Sequence, residues 1–338
     1  MHTQLSSIKI QVTFKGQGIV NYDCKDQKQV ILDTKTMNLP RDNQGKIRDN
    51  LKIAKATYSV DANGNTSRTI KVSSQCLRQA IYGIKHNPNI MYSDELFNDA
   101  ISSKHALVGG YMYVNEKKGA AKRKSPLVVT DAHEVSGAIS MFNVHSNSGD
   151  RNETSLYYVE EVGQTRFISD MFIDLSELKH ITLSDTYGRN SVFPDGEEML
   201  KRKLIEKYGE ITEGFFHMEG EEGVVPEYGA ELSDAAVVNI FRDLMSHIKQ
   251  LRIVRANGYL EFESMKFFKF ENGSWVQIDE PVEFTVKSRY VLTEDQESAR
   301  TLHDGVCLQA KQEQTSRKEA KAEEKAKKAA KKAAKENK

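Results

Sequence analysis

Three cysteines, Cys24, Cys76 and Cys307, are spread over 338 residues. An odd number at such wide separations makes neither a disulfide framework nor a metal-ligand spacing, so a reducing, cytoplasmic setting is expected. No apolar run approaches the roughly 18 residues a membrane helix needs, so no membrane partner is expected. The N-terminus lacks the charged, apolar and small-residue succession of a signal peptide. The motifs HExxH, GxSxG and GxxxxGK[ST] are absent, which removes the commonest sequence-readable routes to hydrolysis and phosphoryl transfer. No cofactor and no metal site is expected.

Net charge is also lacking: 48 basic residues balance 48 acidic ones. The balance hides an uneven distribution. Residues 311–338 carry 11 Lys or Arg against 5 Glu, leaving the rest of the chain acidic. Local clusters, not global charge, must therefore report on a nucleic-acid partner.

What is present begins with "SIKIQVTF", in which Ile8, Ile10, Val12 and Phe14 alternate as in a half-buried strand. Residues 24–72 are polar and read as a long insertion with short strands near 29–33 and 56–60. A helix is predicted from Ser73 or Ser74, with Leu77, Ile81 and Ile84 at helical spacing, and another over about 94–102. "HALVGGYMYV" and "SPLVVTDA" read as strands, the first with a close backbone approach or a bulge at its glycines. "TSLYYVEEVGQTRFISDMFIDL" reads as a hairpin turning at Gly163. "GEEMLKRKLIEKYG" is a helix with acid at its start, and 214–231 an acidic, glycine-rich loop. "SDAAVVNIFRDLMSHIKQLR" is a helix capped by Ser233, and "GYLEFESMKFFKFENGSWVQI" a long strand with a hairpin. Helices alternating with strands give an α+β class.

Five stretches carry candidate chemistry. "KGQGIVN" places Lys15, Gly16 and Asn21 after the first strand; a dinucleotide fingerprint needs a third glycine and a following helix, and both are missing. A bulge, or a backbone that a phosphate approaches closely, remains. "EKKGAAKRKSPL" holds five basic residues, Arg123 and Lys124 among them, either as a phosphate-binding loop or as a solvated one. Ser73 and Ser74 open a helix, with Arg78 about a turn in, as an anion site or as ordinary caps. "SGDRNETSLYY" contains Arg151, Asn152 and Thr154 in a polar tip. "LRIVRANGYLEF" contains Arg255, Gly258 and Tyr259; its second half is like an RRM strand motif and its first half is not. Asp131 with His133 has an acid/base spacing without a nucleophile, and His217 lies among glutamates.

In order along the chain, "GQGIVNYD", "VSSQCLRQAIYG", "GGYMYV" with "KRKSPLVVTD", "RNETSLYY…TRFIS…IDLSELKHITL" and "LRIVRANGYLEF" resemble the Cas-seven backbone subunits of CRISPR surveillance complexes, nearest the compact type I-F variant. The resemblance implies an RRM-like, ferredoxin-like palm over 1–305 with an insertion over 24–72 and a β-hairpin thumb over about 143–166, followed by a Lys/Ala/Glu-rich tail over 306–338. It implies a non-catalytic guide-RNA-binding (crRNA-binding) subunit that oligomerises along the guide and presents bases to target DNA. Partners would be the guide RNA, target DNA, further copies of the chain, Cas-five-type and Cas-six-type subunits and a recruited helicase-nuclease. Lys15, Gly16 and Asn21 would lie against RNA, and Ser73, Ser74 and Arg78 would hold phosphates. Arg123 and Lys124 would clamp the strand. Arg151, Asn152 and Thr154 would lie near the kink, and Arg255, Gly258 and Tyr259 would complete the groove. The acidic loop and the tail fall outside the resemblance.

Three alternatives stay open. One is a type III-like subunit cutting RNA with Asp23, Asp42 or Asp49. Another is a stand-alone single-stranded RNA binder, and the third a metal-dependent nuclease at Asp131 and His133.

Overall fold

The computed structural model describes residues 3–17, 22–23, 29–32, 35–38, 53–82, 94–115, 119–135, 141–147, 156–162, 164–184, 191–193, 196–220, 224–255, 258–309, 312–313 and 315–316. By their contacts they form two units: Met1–Asn87, Pro126–Asp174 and Val238–Thr285 in the first, and Pro88–Ser125, Leu175–Val237 and Val286–Lys338 in the second. Both mix helix and sheet.

The first unit is built on a nine-stranded antiparallel sheet. Its path runs Arg252–Arg255, Gly258–Glu271, Ser7–Gln17, Gln164–Asp174, Ala132–Glu134, Thr66–Val72, Ala56–Val60. Leu127–Val129 pairs with Gln164–Asp174, and Ser274–Ile278 with Gly258–Glu271. Ser7–Gln17 is central because its alternation is strict: Ile8, Ile10, Val12 and Phe14 are fully buried while the intervening residues are not. Met171 and Ile173 on one neighbour, and Leu260 and Phe267 on the other, extend the same buried face. Among its strands, Ser7–Gln17, Ala132–Glu134, Gln164–Asp174 and Gly258–Glu271 alternate with two helices, Ser74–Tyr82 and Asp234–Lys249, in the order strand, helix, strand, strand, helix, strand. The helices bring Leu77, Ile81, Phe241, Leu244 and Ile248 into the core.

A turn at Asp61–Asn65 joins the last two strands, where the Asp61 carboxylate accepts from the N–H groups of Asn63 and Asn65 at 2.9 and 2.8 Å. Thr66–Val72 joins the sheet by pairing with Ala132–Glu134. The hairpin expected around Gly163 is different. Leu156–Val162 pairs with Met141–Asn147, from Met141 opposite Val162 to Asn147 opposite Leu156. Gln164–Asp174 instead joins the central strand along all eleven residues.

The second unit has a four-stranded sheet, ordered His180–Thr182, Glu227–Leu232, Ile211–Met218, Tyr290–Leu292. The segment expected as an acidic loop over 214–231 is largely a hairpin, with Phe215 and Phe216 buried. "HALVGG" is a helix, Lys104–Gly109, not a strand. Ser103 caps it by accepting the Ala106 N–H, and Gly110 ends it at φ 69°. A Cβ on Gly110 would lie 2.6 Å from Arg123 O and Ser125 N, so the close approach expected there is real. Phe97, Tyr111, Tyr113 and Phe193 form an aromatic cluster, with Phe97 and Phe193 centroids 4.8 Å apart. Beside it lie the helices Asp94–Ile101 and Glu197–Tyr208, tied by Lys207 to Asp99 at 2.9 Å.

Candidate nucleic-acid interface

The sheet of the first unit buries one face, so its other face carries whatever the intervening residues are. Residues directly opposite one another share a face. Arg166 stands opposite Lys15, Lys15 opposite Glu261, and Gln17 opposite Tyr259. A bulge after Thr13 adds Glu263 to this row. Lys15 Nζ lies 2.8 Å from Glu261 Oε1, with just over half of its side chain exposed. Arg166 holds Glu263 through Nε at 2.8 Å and Nη2 at 2.7 Å. The hydrogen bond from Lys15 to Glu261 raises the lysine pKa, and that from Arg166 lowers the Glu263 pKa. Two cations thus stand on this face, each paired with a carboxylate. A phosphate arriving here competes with two carboxylates for two positioned cations. Tyr259 is half-buried at the end of the row, an aromatic ring beside cations.

Gly16 lies in the same strand but points to the core. A Cβ there would meet Phe167 Cε2 at 2.9 Å and Leu260 Cδ1 at 3.3 Å, so internal packing accounts for this glycine. Gly258 stands opposite Arg255 in the edge pair. Asn21, Arg151, Asn152 and Thr154 lie outside the described residues, as do Asp42 and Asp49.

The start of the helix Ser74–Tyr82 is already occupied by an anion from the protein itself. Asp131 Oδ1 accepts the Ser74 N–H at 2.8 Å, and Asp131 Oδ2 pairs with Lys71 Nζ at 2.7 Å. Burial pushes the Asp131 pKa up, but the Lys71 ion pair and the Ser74 N–H outweigh it, and the carboxyl ends below its ordinary value. Ser73 Oγ accepts the Cys76 N–H at 3.4 Å, an ordinary cap. Arg78 is half-buried, near enough for its charge to act on the Tyr82 phenol. Both carboxylate oxygens of Asp131 are therefore engaged in structure, and His133 next to it is exposed.

Arg123 and Lys124 belong to the second unit. The Arg123 side chain donates from Nε to Leu107 O at 3.3 Å, from Nη1 to His180 O at 3.0 Å and from Nη2 to Glu177 O at 2.5 Å. Burial lowers its pKa, opposed by Tyr111 and Glu177. This guanidinium ties a strand to two other segments of its own unit. Lys124 is exposed and, with Arg123, lines a cavity of about 440 Å³. His217 Nδ1 lies 3.4 Å from Thr293 Oγ1. Among the described residues no group of three or more His, Cys, Asp or Glu is arranged to hold a metal ion, and no helix is long and apolar enough to cross a membrane.

Sequence reading missed Arg166, Glu261 and Glu263 as one set. Lys15 is marked by its parity in an alternating strand, but its partners come from strands about 150 and 245 residues away, and only the register unites them.

A sheet face that carries paired cations near an aromatic ring has the chemistry to meet a nucleic-acid backbone. The family model Type I-Fv CRISPR-associated protein Cas7fv-like matches residues 4–279, and the chain belongs to that family. No curated protein matches it. A solved chain described as "CRISPR RNA-guided surveillance complex" is similar at 11% identity and a TM-score of 0.37, over 82% of this chain and 72% of that one.

Proposed function

We propose that this chain is the guide-RNA-binding backbone subunit of a CRISPR surveillance complex. The observation that carries the reading is the family match over residues 4–279. Geometry supplies the means. Lys15 and Arg166 on the open sheet face take phosphates in exchange for Glu261 and Glu263, and Tyr259 stacks on a base. The palm is the first unit. Its strand, helix, strand, strand, helix, strand order, with the last strand beside the first, fits a ferredoxin-like core. The hairpin Met141–Asn147 with Leu156–Val162 is the thumb, and Arg151, Asn152 and Thr154, which fall between those strands in the sequence, touch the guide.

Copies line up along the guide, whose bases remain available to pair with target DNA, so the protein reads backbone and shape while pairing reads sequence. The subunit itself is non-catalytic. It works in the cytoplasm beside Cas-five-type and Cas-six-type subunits and a recruited helicase-nuclease. Arg123 contributes by holding its strand in place, and Lys124 by its charge.

The test is to express the chain with a repeat-spacer transcript, purify it and sequence the RNA that accompanies it. Repeat-spacer RNA protected over the spacer is expected. Recovery of unrelated cellular RNA in equal amounts would favour a stand-alone RNA binder and overturn the reading.

A further inference from the structure

The outermost strand of the nine-stranded sheet, Ala56–Val60, has a strand neighbour on one side only among the described residues. Its ladder fixes which groups face outward. Lys55 O accepts the Lys71 N–H at 2.7 Å, and the Asp61 N–H donates to Asn65 O at 2.9 Å, so the odd-numbered residues bond inward. Ala56, Tyr58 and Val60 therefore turn their N–H and C=O groups to the open side. Thr57, Tyr58, Ser59 and Val60 are all exposed, Val60 at 67%. Proteins blunt an edge of this kind with charge, proline or a bulge. The strand at the other end of the sheet, Arg252–Arg255, has an arginine at each of its ends. Ala56–Val60 has no charge and no proline, its register with Thr66–Val72 runs unbroken, and its Thr, Tyr and Val favour strands.

An unblunted edge accepts another strand, and the sequence of this one complements itself. In an antiparallel pair about a two-fold axis at Tyr58, Tyr58 faces its own copy and Ala56 faces Val60, a small residue opposite a larger one. Thr57 faces Ser59. Just outside the strand Lys55 faces Asp61, so each end of the pairing sets one cation opposite one carboxylate. This register also brings the outward-turned groups together, since Ala56, Tyr58 and Val60 face only one another. Sliding the pairing to the next register with the same groups outward sets Lys55 opposite Ser59 or Asn63 instead, and the charge match is lost. We infer that Ala56–Val60 is a dimer contact, taking the same strand of a second copy antiparallel, with Tyr58 at the two-fold axis, so that the sheet continues from one copy into the other. A two-fold contact closes at two copies, so it is distinct from any row of copies along an RNA, and the inference does not rest on the guide-RNA reading.

Sedimentation of the nuclease-treated full chain tests it, over a concentration series up to about 200 μM because a short strand pair makes a small interface. A reversible dimer is expected. Tyr58→Pro removes an outward N–H from each copy without touching the inward ladder, and should weaken the dimer at least about tenfold while the melting temperature holds. Lys55→Glu sets a carboxylate opposite Asp61 and should weaken it by a similar factor. Tyr58→Cys should cross-link two copies under mild oxidation, because directly opposed residues of a bonded pair lie about 5.5 Å apart at Cα, within disulfide reach. Thr57→Cys faces Ser59 and should not cross-link, which also controls for the native cysteines. Should Tyr58→Pro fail to fold, the cross-link decides. Protein that stays monomeric throughout, a dimer that Tyr58→Pro leaves intact, or equal cross-linking at 57 and 58 overturns the inference. Dimers formed by protein that binds no guide RNA support this inference and count against the guide-RNA reading alone.

Discussion

Asp131 accepts the backbone N–H of Ser74 at 2.8 Å, so the first helix of the sheet-bearing unit begins on a carboxylate from a neighbouring strand segment. A helix start offers N–H donors and a positive dipole end to any anion. Here the anion is built in, and Lys71 at 2.7 Å holds it there.

Asp131→Asn keeps an acceptor for the Ser74 N–H but loses the ion pair with Lys71, and should therefore destabilise the protein by about 1 kcal/mol. The wild type should also show a pH dependence that the variant lacks. The Asp131 pKa is lower folded than unfolded. Its contribution is present above the ordinary carboxylate value near 4 and is lost as pH falls through the folded value. Urea midpoints between pH 6 and pH 3 for both proteins measure this. Parallel curves would show that the carboxylate contributes nothing.

Lys15→Ala should weaken single-stranded RNA binding about tenfold and reduce the slope of log affinity against log salt by about 0.7, the expectation for one lost phosphate contact. Glu261→Gln should do the reverse, because the carboxylate that now holds Lys15 at 2.8 Å competes with phosphate. Filter binding across a salt series reads both. Weakening by both substitutions would mean that the pair acts only as a unit of structure.

Arg123→Ala should lower the melting temperature strongly, because it orphans three carbonyl acceptors at once. A loss of about 3 kcal/mol is expected. Lys124→Ala, one residue on and exposed, should leave stability within about 0.5 kcal/mol. Calorimetry of the two proteins separates the structural cation from the solvent-facing one. Equal stability would remove the role assigned to Arg123.

Gly16→Val should destabilise by about 1–3 kcal/mol through overpacking, since even a Cβ comes within 2.9 Å of Phe167. Phe167→Leu in the same chain should recover part of the loss. If the double variant is no better than the single one, the glycine is needed for another reason.

These residues also mark how far the sequence could be read. The alternation of Ile8, Ile10, Val12 and Phe14 located the central strand, and with it the open face that bears Lys15. The helices Ser74–Tyr82, Glu197–Tyr208 and Asp234–Lys249 were legible because a cap or an acidic first turn coincided with helical periodicity. Strand partners were not legible. Gln164–Asp174 follows another strand after a single glycine, the local signature of a hairpin, yet it pairs with residues 7–17, and no local signal carries a register. The stretch 214–231 reads as a loop because its glycines and glutamates obscure the two short strands Ile211–Met218 and Glu227–Leu232. "HALVGG" was misread because a short apolar run fits a strand as well as a buried helix, and the Ser103 cap decides between them. Basic residues next to each other, Arg123 and Lys124, were read as one cluster, although one is bound to backbone and the other exposed.

The central claim is that the chain is a backbone subunit repeated along a guide RNA. Its most direct test is to assemble the chain on guide transcripts of increasing spacer length and weigh each purified particle. The account predicts a mass that rises in whole-subunit steps as the spacer lengthens. A particle that keeps one protein per RNA at every length would contradict it.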